Sequence, residues 1–183
     1  MIKKDLILAA ICGLSVSWIT IDFFGVYGLI FVVVFPILSI VGLYLVDLIG
    51  KKYLFVKQAG RFCLAGAFAD VVDIKIFQLF FLLAPFSLVC KVISFIAGTF
   101  VKYFSDKYWT FEKYGKENMH KEMGKFFLVA TVGALINVVS FYFFGKIKIG
   151  LPAKIWTELC IILAALATAI WNFCGYKFLV FKK

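Results

Sequence analysis

Histidine is almost absent from this chain. A single residue, His120 in the longest polar stretch, excludes a multi-histidine metal centre. The five cysteines (Cys12, Cys63, Cys90, Cys160 and Cys174) form no CxxC pair and all sit inside apolar runs. They read as small buried apolar residues, not as disulfide or metal ligands. There is no GxxxxGK[ST] loop, nucleophile elbow or dinucleotide fingerprint, so the sequence predicts neither an ATP site nor a cofactor nor a catalytic centre. Acidic residues are scarce too, 10 against 20 basic ones. In so apolar a chain the +10 surplus points to membrane-flanking loops, not to nucleic acid.

What remains is hydrophobic. Of 183 residues 64% are apolar, with a mean hydropathy of +1.02. A water-soluble fold of this size has too little interior to hide that fraction, so a bilayer is the expected solvent. Long unbroken runs, as opposed to ten-residue alternating segments, select helices over a barrel and predict an all-α integral membrane protein. At about 20 residues per span, six candidates emerge: 6–24, 27–46, 61–83, 86–108, 126–144 and 153–176. The first has no small-residue cleavage site and is followed by a second span, so it reads as a retained helix. Pro36 should kink the second span, Pro85 should end the third, and Pro152 suits the first turn of the sixth. Residues 47–61 read as a polar joint, and 112–125 as a hydrophilic segment able to form a short surface helix.

Six spans place both termini on one side. Fourteen cations fall on that side, and only Lys146, Lys148 and Lys154 on the other. The positive-inside rule then puts both termini in the cytoplasm, in a multi-pass protein of the cell membrane.

One stretch occurs twice. KYFSDKYWTF at 102–111 aligns with NFCGYKFLVF at 172–181, placing Lys107 on Lys177, Tyr103 on Phe173 and Phe111 on Phe181. The helices ahead of them also open alike. GRFCLAGAFADVVD at 60–73 aligns with GKFFLVATVGALIN at 124–137, placing Arg61 on Lys125, Phe62 on Phe126 and Asp73 on Asn137. Each unit is a hairpin with a basic-aromatic start and a basic-aromatic exit. Two such hairpins that begin and end on the same side are parallel repeats. The first two spans have no copy.

Arg61-Phe62 with Gly66 downstream, the WTF ending at Trp109, Thr110 and Phe111, and Asn172-Phe173 with the later Val180-Phe181 resemble the GtrA family. The resemblance covers roughly 57–183. It departs from the family at Lys102, where Ser or Asn is common, at Asp106-Lys107, where Asn-Arg is common, and at Leu179 in place of the second Trp. It implies a two-helix extension at 1–56 and a GtrA-like four-helix membrane domain at 57–183. It also implies a part in moving polyprenyl-phosphate-linked sugars across the cytoplasmic membrane for cell-surface glycan synthesis.

Charged groups inside spans cost roughly 2.5–3.5 kcal/mol each at mid-helix, so those retained need a partner or a substrate. Asp70 and Asp73 share a helix face. Lys91 and Lys102 are three turns apart on one face, with Gly98 between them. Glu158, Ala165, Ala169, Asn172 and Tyr176 form a stripe on the sixth helix whose small residues allow close approach. For a lipid phosphate the candidate contacts are Arg61, Lys91, Lys102, Lys107, Lys125 and Lys177. For a sugar or polar path they are Asp70, Asp73, Asn137, Glu158 and Asn172. Structural roles stand beside these: snorkelling for Lys91 and Lys102, an internal salt-bridge set of Asp70, Asp73 and Lys75, a Glu158–Lys154 pair, and plain anchoring for Lys107 and Lys177.

Flipping of a polyprenyl-phosphate-linked sugar is the leading functional expectation. Two others stay open: a small proton-coupled exporter of lipophilic cations, and a non-transporting scaffold that holds a membrane-associated glycosyltransferase. The expected partners are the lipid and the membrane, with a homodimer as one assembly the small-residue stripe would support.

Overall fold

The computed structural model describes residues 3–83, 86–115, 118–147 and 152–182, with the side chains of 153–155 and 158 outside that set. Most of the described residues are helical, with no strand among them. Helix α1 is Lys3–Phe24, α2 Phe31–Gly50, α3 Leu54–Leu83, α4 Ser87–Ser105, α5 Met119–Lys146 and α6 Ala153–Gly175. Two π-helical turns, Asp106–Thr110 and Tyr176–Val180, continue α4 and α6. Among the described residues, four helical stretches are long and apolar enough to cross a bilayer: Lys3–Gly50, Ser87–Thr110, Met119–Lys146 and Leu159–Val180. The sequence-derived count of six takes the first as two spans and adds α3. That helix carries Lys57, Arg61, Asp70, Asp73 and Lys75. Its 30 residues make about 45 Å, longer than a hydrocarbon core of about 30 Å.

Large apolar side chains point outward throughout. Leu82, Leu88, Val138 and Ile170 are all more than two-thirds or close to two-thirds exposed, while Ala, Ser, Gly and several charged groups are buried. Water would reject that arrangement and hydrocarbon favours it. The chain is therefore a multi-pass membrane protein.

Two compact units divide the chain, Met1–Tyr114 and Gly115–Lys183. In the first, α1 and α2 form a hairpin through a 3₁₀ segment, Gly25–Ile30, and both pack on α3, which in turn packs on α4. Gly13 lets α1 lie against Pro36 of α2, because a Cβ there would stand 2.5 Å from the proline Cα. The Ser17 hydroxyl donates to the Phe31 carbonyl at 2.6 Å and closes the same seam. The core joins all three leading helices to the first π turn: Ala9, Cys12, Leu43, Ala65 and Trp109, flanked by Leu8, Ile40, Leu64 and Phe68. In the second unit α5 packs on α6, and the second π turn folds onto α5.

Several boundaries differ from the sequence reading. The reversal after α1 is a 3₁₀ run of six residues, so α2 starts at Phe31 and not at Tyr27. The polar joint shrinks to residues 51–53, since α3 begins at Leu54 and a Lys57–Asp47 ion pair of 3.1 Å bridges the gap. Arg61 is consequently a buried residue of α3, two turns beyond its start. No separate surface helix forms from 118 to 125, because α5 absorbs that stretch from Met119 onward. Pro152 precedes α6 as its N-cap, with an extended ψ of 136°. Pro85 and the loop residues 148–151 lie outside the described residues.

Candidate functional site

The α3–α4 hairpin carries a line of charge. Gly98 of α4 sits against α3, where a Cβ would meet Asp73 Cβ at 3.0 Å and the Ala69 carbonyl at 3.2 Å. This close approach fixes the helix register and brings the polar side chains into one seam. Lys91 Nζ pairs with Asp73 Oδ2 at 2.6 Å. Three turns further along α4, Lys102 Nζ lies 3.9 Å from the Phe62 ring centre and 3.3 Å from Asp106 Oδ2. Gly66 leaves room for that ammonium, which would stand 3.3 Å from a Cβ there. Asp70 is exposed on α3, within electrostatic reach of Lys102, Lys91 and Asp73, yet makes no hydrogen bond or ion pair among the described residues. Asp106 is fully buried and its other oxygen accepts from Thr110 Oγ1 at 2.9 Å.

Arg61 belongs to a different cluster. Its guanidinium is buried and donates Nη2 to Asp5 at 3.0 Å and Nη1 to the Trp109 carbonyl at 3.0 Å. The same Nη1 meets Glu112 Oε1 at 2.5 Å. The Trp109 indole donates to Asp5 Oδ1 at 2.9 Å. Asp5 is buried, whereas the Glu112 side chain is 51% exposed. Glu112 also has φ of +51°, a left-handed conformation that costs a non-glycine residue about 1–3 kcal/mol unless its surroundings hold it there. Lys107 is fully buried in the π turn and donates to the Tyr103 hydroxyl at 3.2 Å. At the far end of α1, Lys75 pairs with Asp22 and lies 4.5 Å from the Trp18 ring centre.

The second hairpin is neutral along the same line. Asn172 packs its side chain onto Gly133, where any Cβ would overlap it, and its Oδ1 is buried without a hydrogen-bond partner. Asn137 is half-buried, one turn along α5 from Gly133. At the hairpin end, Phe126 stacks on Tyr176 at 3.8 Å and lies 6.0 Å from Phe181. Lys125 is exposed, and Lys177 is half-buried with its ammonium 5.7 and 5.8 Å from the Phe173 and Phe178 ring centres. Glu158 lies in α6, its side chain outside the described residues.

The structure thus brings together Lys91, Asp73, Asp70 and Lys102, sets Arg61 apart with two carboxylates, and buries Lys107. The expected internal set of Asp70, Asp73 and Lys75 does not form: Asp73 pairs with Lys91, and Lys75 with Asp22. Asp5, Glu112, Asp106 and Asp22 were not singled out as site residues from sequence. The signal for Asp5 was there, a lone acid beside Lys3 and Lys4 at the start of an apolar run.

The two copies of the repeated motif adopt one backbone. In each, the closing Phe donates its N–H five residues back, Phe111 to the Asp106 carbonyl at 2.8 Å and Phe181 to the Tyr176 carbonyl at 2.7 Å. The positions of Tyr103, Asp106, Thr110 and Phe111 are buried, as are those of Phe173, Tyr176, Val180 and Phe181. Searches of curated proteins and of solved structures return no match. The family model described as GtrA/DPMS, transmembrane domain, matches residues 61–181, which take in both hairpins from Arg61 to the second π turn. The chain belongs to the GtrA/DPMS transmembrane-domain family.

Proposed function

We propose that this protein moves a polyprenyl-phosphate-linked sugar from one leaflet of the cell membrane to the other, with both termini in the cytoplasm. The family links the chain to lipid-linked sugar translocation at the general level. The observation that carries the specific reading is the charged seam of the first hairpin, Lys91–Asp73–Asp70–Lys102, laid along three turns of α4. A phosphate head entering hydrocarbon needs cations that are already desolvated and held apart by fixed partners. Lys102 is such a cation at one end of the seam, and Lys91, more exposed but paired with Asp73, stands at the other. Each holds a carboxylate that a phosphate replaces with little change in net charge. Asp70, and Asp73 once Lys91 turns to the phosphate, accept hydrogen bonds from sugar hydroxyls. In the second hairpin, Asn172 Oδ1 is an acceptor without a partner and Asn137 lies one turn from the Gly133 it packs on, which supports a neutral polar path there. The isoprenoid tail stays in the bilayer against the outward apolar side chains. No catalytic step belongs to this reading.

Reconstitution tests it. Vesicles containing the protein and a short-chain polyprenyl-phosphate sugar should exchange that lipid between leaflets faster than protein-free vesicles. Equal rates across several sugars would overturn the proposal.

A further inference from the structure

Arg61 holds two carboxylates, Asp5 and Glu112. The two acids are not equivalent. Asp5 is buried and uses both oxygens, on Arg61 and on the Trp109 indole. It is a fixed part of the core where α1, α3 and the π turn meet. Glu112 is half in solvent, follows the π turn, and holds its backbone at φ +51°. It joins the cluster through Arg61 Nη1.

We propose that Glu112 is a displaceable latch over Arg61, and that the position of its carboxylate is a binding site for a phosphate group. The inference rests on the translocation reading for its biological meaning, but not for its chemistry. A guanidinium whose other nitrogen is locked to Asp5 presents a fixed donor edge, and phosphate oxygens fit such an edge as a carboxylate does. With Glu112 in place Arg61 Nη1 is fully occupied, by that carboxylate and by the Trp109 carbonyl, and offers nothing to a second anion. Once Glu112 swings out, its strained backbone relaxes and Arg61 offers Nη1 to the incoming group. The cluster therefore admits phosphate by exchange of one anion for another, without ever exposing an unpaired buried cation. Asp5 acts as a positioning residue: it keeps Arg61 aimed while the latch moves.

The test uses the full chain in lipid nanodiscs, titrated calorimetrically with farnesyl phosphate, inorganic phosphate and farnesol. Glu112→Gln removes the competing charge at constant shape and should tighten farnesyl phosphate binding about tenfold. Glu112→Gly, which also removes the backbone strain, should do the same. In an Arg61→Gln background the gain should vanish; where that variant fails to fold, Arg61→Lys keeps the core charge and should shrink the gain. An equal gain for inorganic phosphate supports the latch and identifies the phosphate group alone as the ligand. A gain confined to farnesyl phosphate supports it and identifies a lipid head. Unchanged or weaker binding in Glu112→Gln, a gain that survives Arg61→Gln, or an equal gain for farnesol overturns the proposal. Leaflet exchange measured on the same nanodisc-purified protein in vesicles separates the two readings. A binding gain without exchange leaves the latch standing and removes translocation.

Discussion

At matched positions the hairpin α3–α4 has Lys102, Asp70, Asp73 and Asp106, where α5–α6 has Asn172, Ala134, Asn137 and Tyr176. The backbone plan is shared: a Phe at the start of each pair, a π turn at its end, and a closing Phe bonded five residues back. The chemistry is not. The first hairpin fills its seam with ion pairs, whereas the second fills it with an amide on a glycine and a stacked pair of rings. Outside the seam the difference continues. Trp109 is buried against α1, but Leu179 at the same register is 57% exposed. Arg61 is buried and doubly paired, but Lys125 is exposed. A duplicated frame thus tolerates opposite interiors. In the first hairpin α1 supplies two of the partners, Asp5 for Arg61 and Asp22 for Lys75.

The comparison can be broken most severely at Asp5. Asp5→Ala leaves Arg61 buried without its buried carboxylate and should destabilise the first unit by about 3 kcal/mol. Lys125→Ala, at the register of Arg61, should change stability by less than about 0.5 kcal/mol. Thermal unfolding of both variants in the same detergent decides the contrast; equal shifts would remove it. Trp109→Leu makes the first exit chemically like the second. It loses a packed indole and its bond to Asp5, and should cost about 2 kcal/mol. Leu179→Trp, on an exposed position, should be near neutral by the same measurement.

Lys102→Asn installs the residue of the second hairpin in the first. Leaflet exchange should fall about tenfold, equivalent to about 1.4 kcal/mol, and the unfolding temperature should fall as well, because Asp106 is left buried without its cation. An unchanged exchange rate would separate the seam from transport. The smallest effects concern the glycines. Gly98→Ala pushes on Cβ of Asp73 and a carbonyl, neither of which can turn aside, and should cost about 1 kcal/mol. Gly133→Ala pushes on the movable Asn172 amide, and the double variant with Asn172→Ala should recover most of the loss, a non-additivity that denaturation curves can read.

Much of the architecture was readable from the residues. The apolar runs gave the helices, and the alignment of 102–111 on 172–181 foretold that the two ends would share a backbone. The three-turn spacing of Lys91 and Lys102 foretold their common seam with Gly98 between them. Helix boundaries were less readable where charge and helix propensity disagree: residues 54–60 and 119–125 look like polar joints, yet they extend α3 and α5. A π turn has no distinct signature of its own, since its residues pass equally for α-helix.

The sequence by itself determined that this is a helical membrane protein with a duplicated hairpin, one copy charged and the other nearly neutral. Those properties are local: hydropathy, period and residue identity suffice for them. Only the tertiary structure decided which cation meets which acid. Arg61 finds Asp5 across 56 residues and Trp109 finds the same Asp5 across 104. Such pairings depend on the rotation and register of whole helices, which small residues such as Gly13 and Gly98 set by how closely they let backbones approach. No local pattern carries that information, and so Arg61 looked like an open helix end until α1 closed over it.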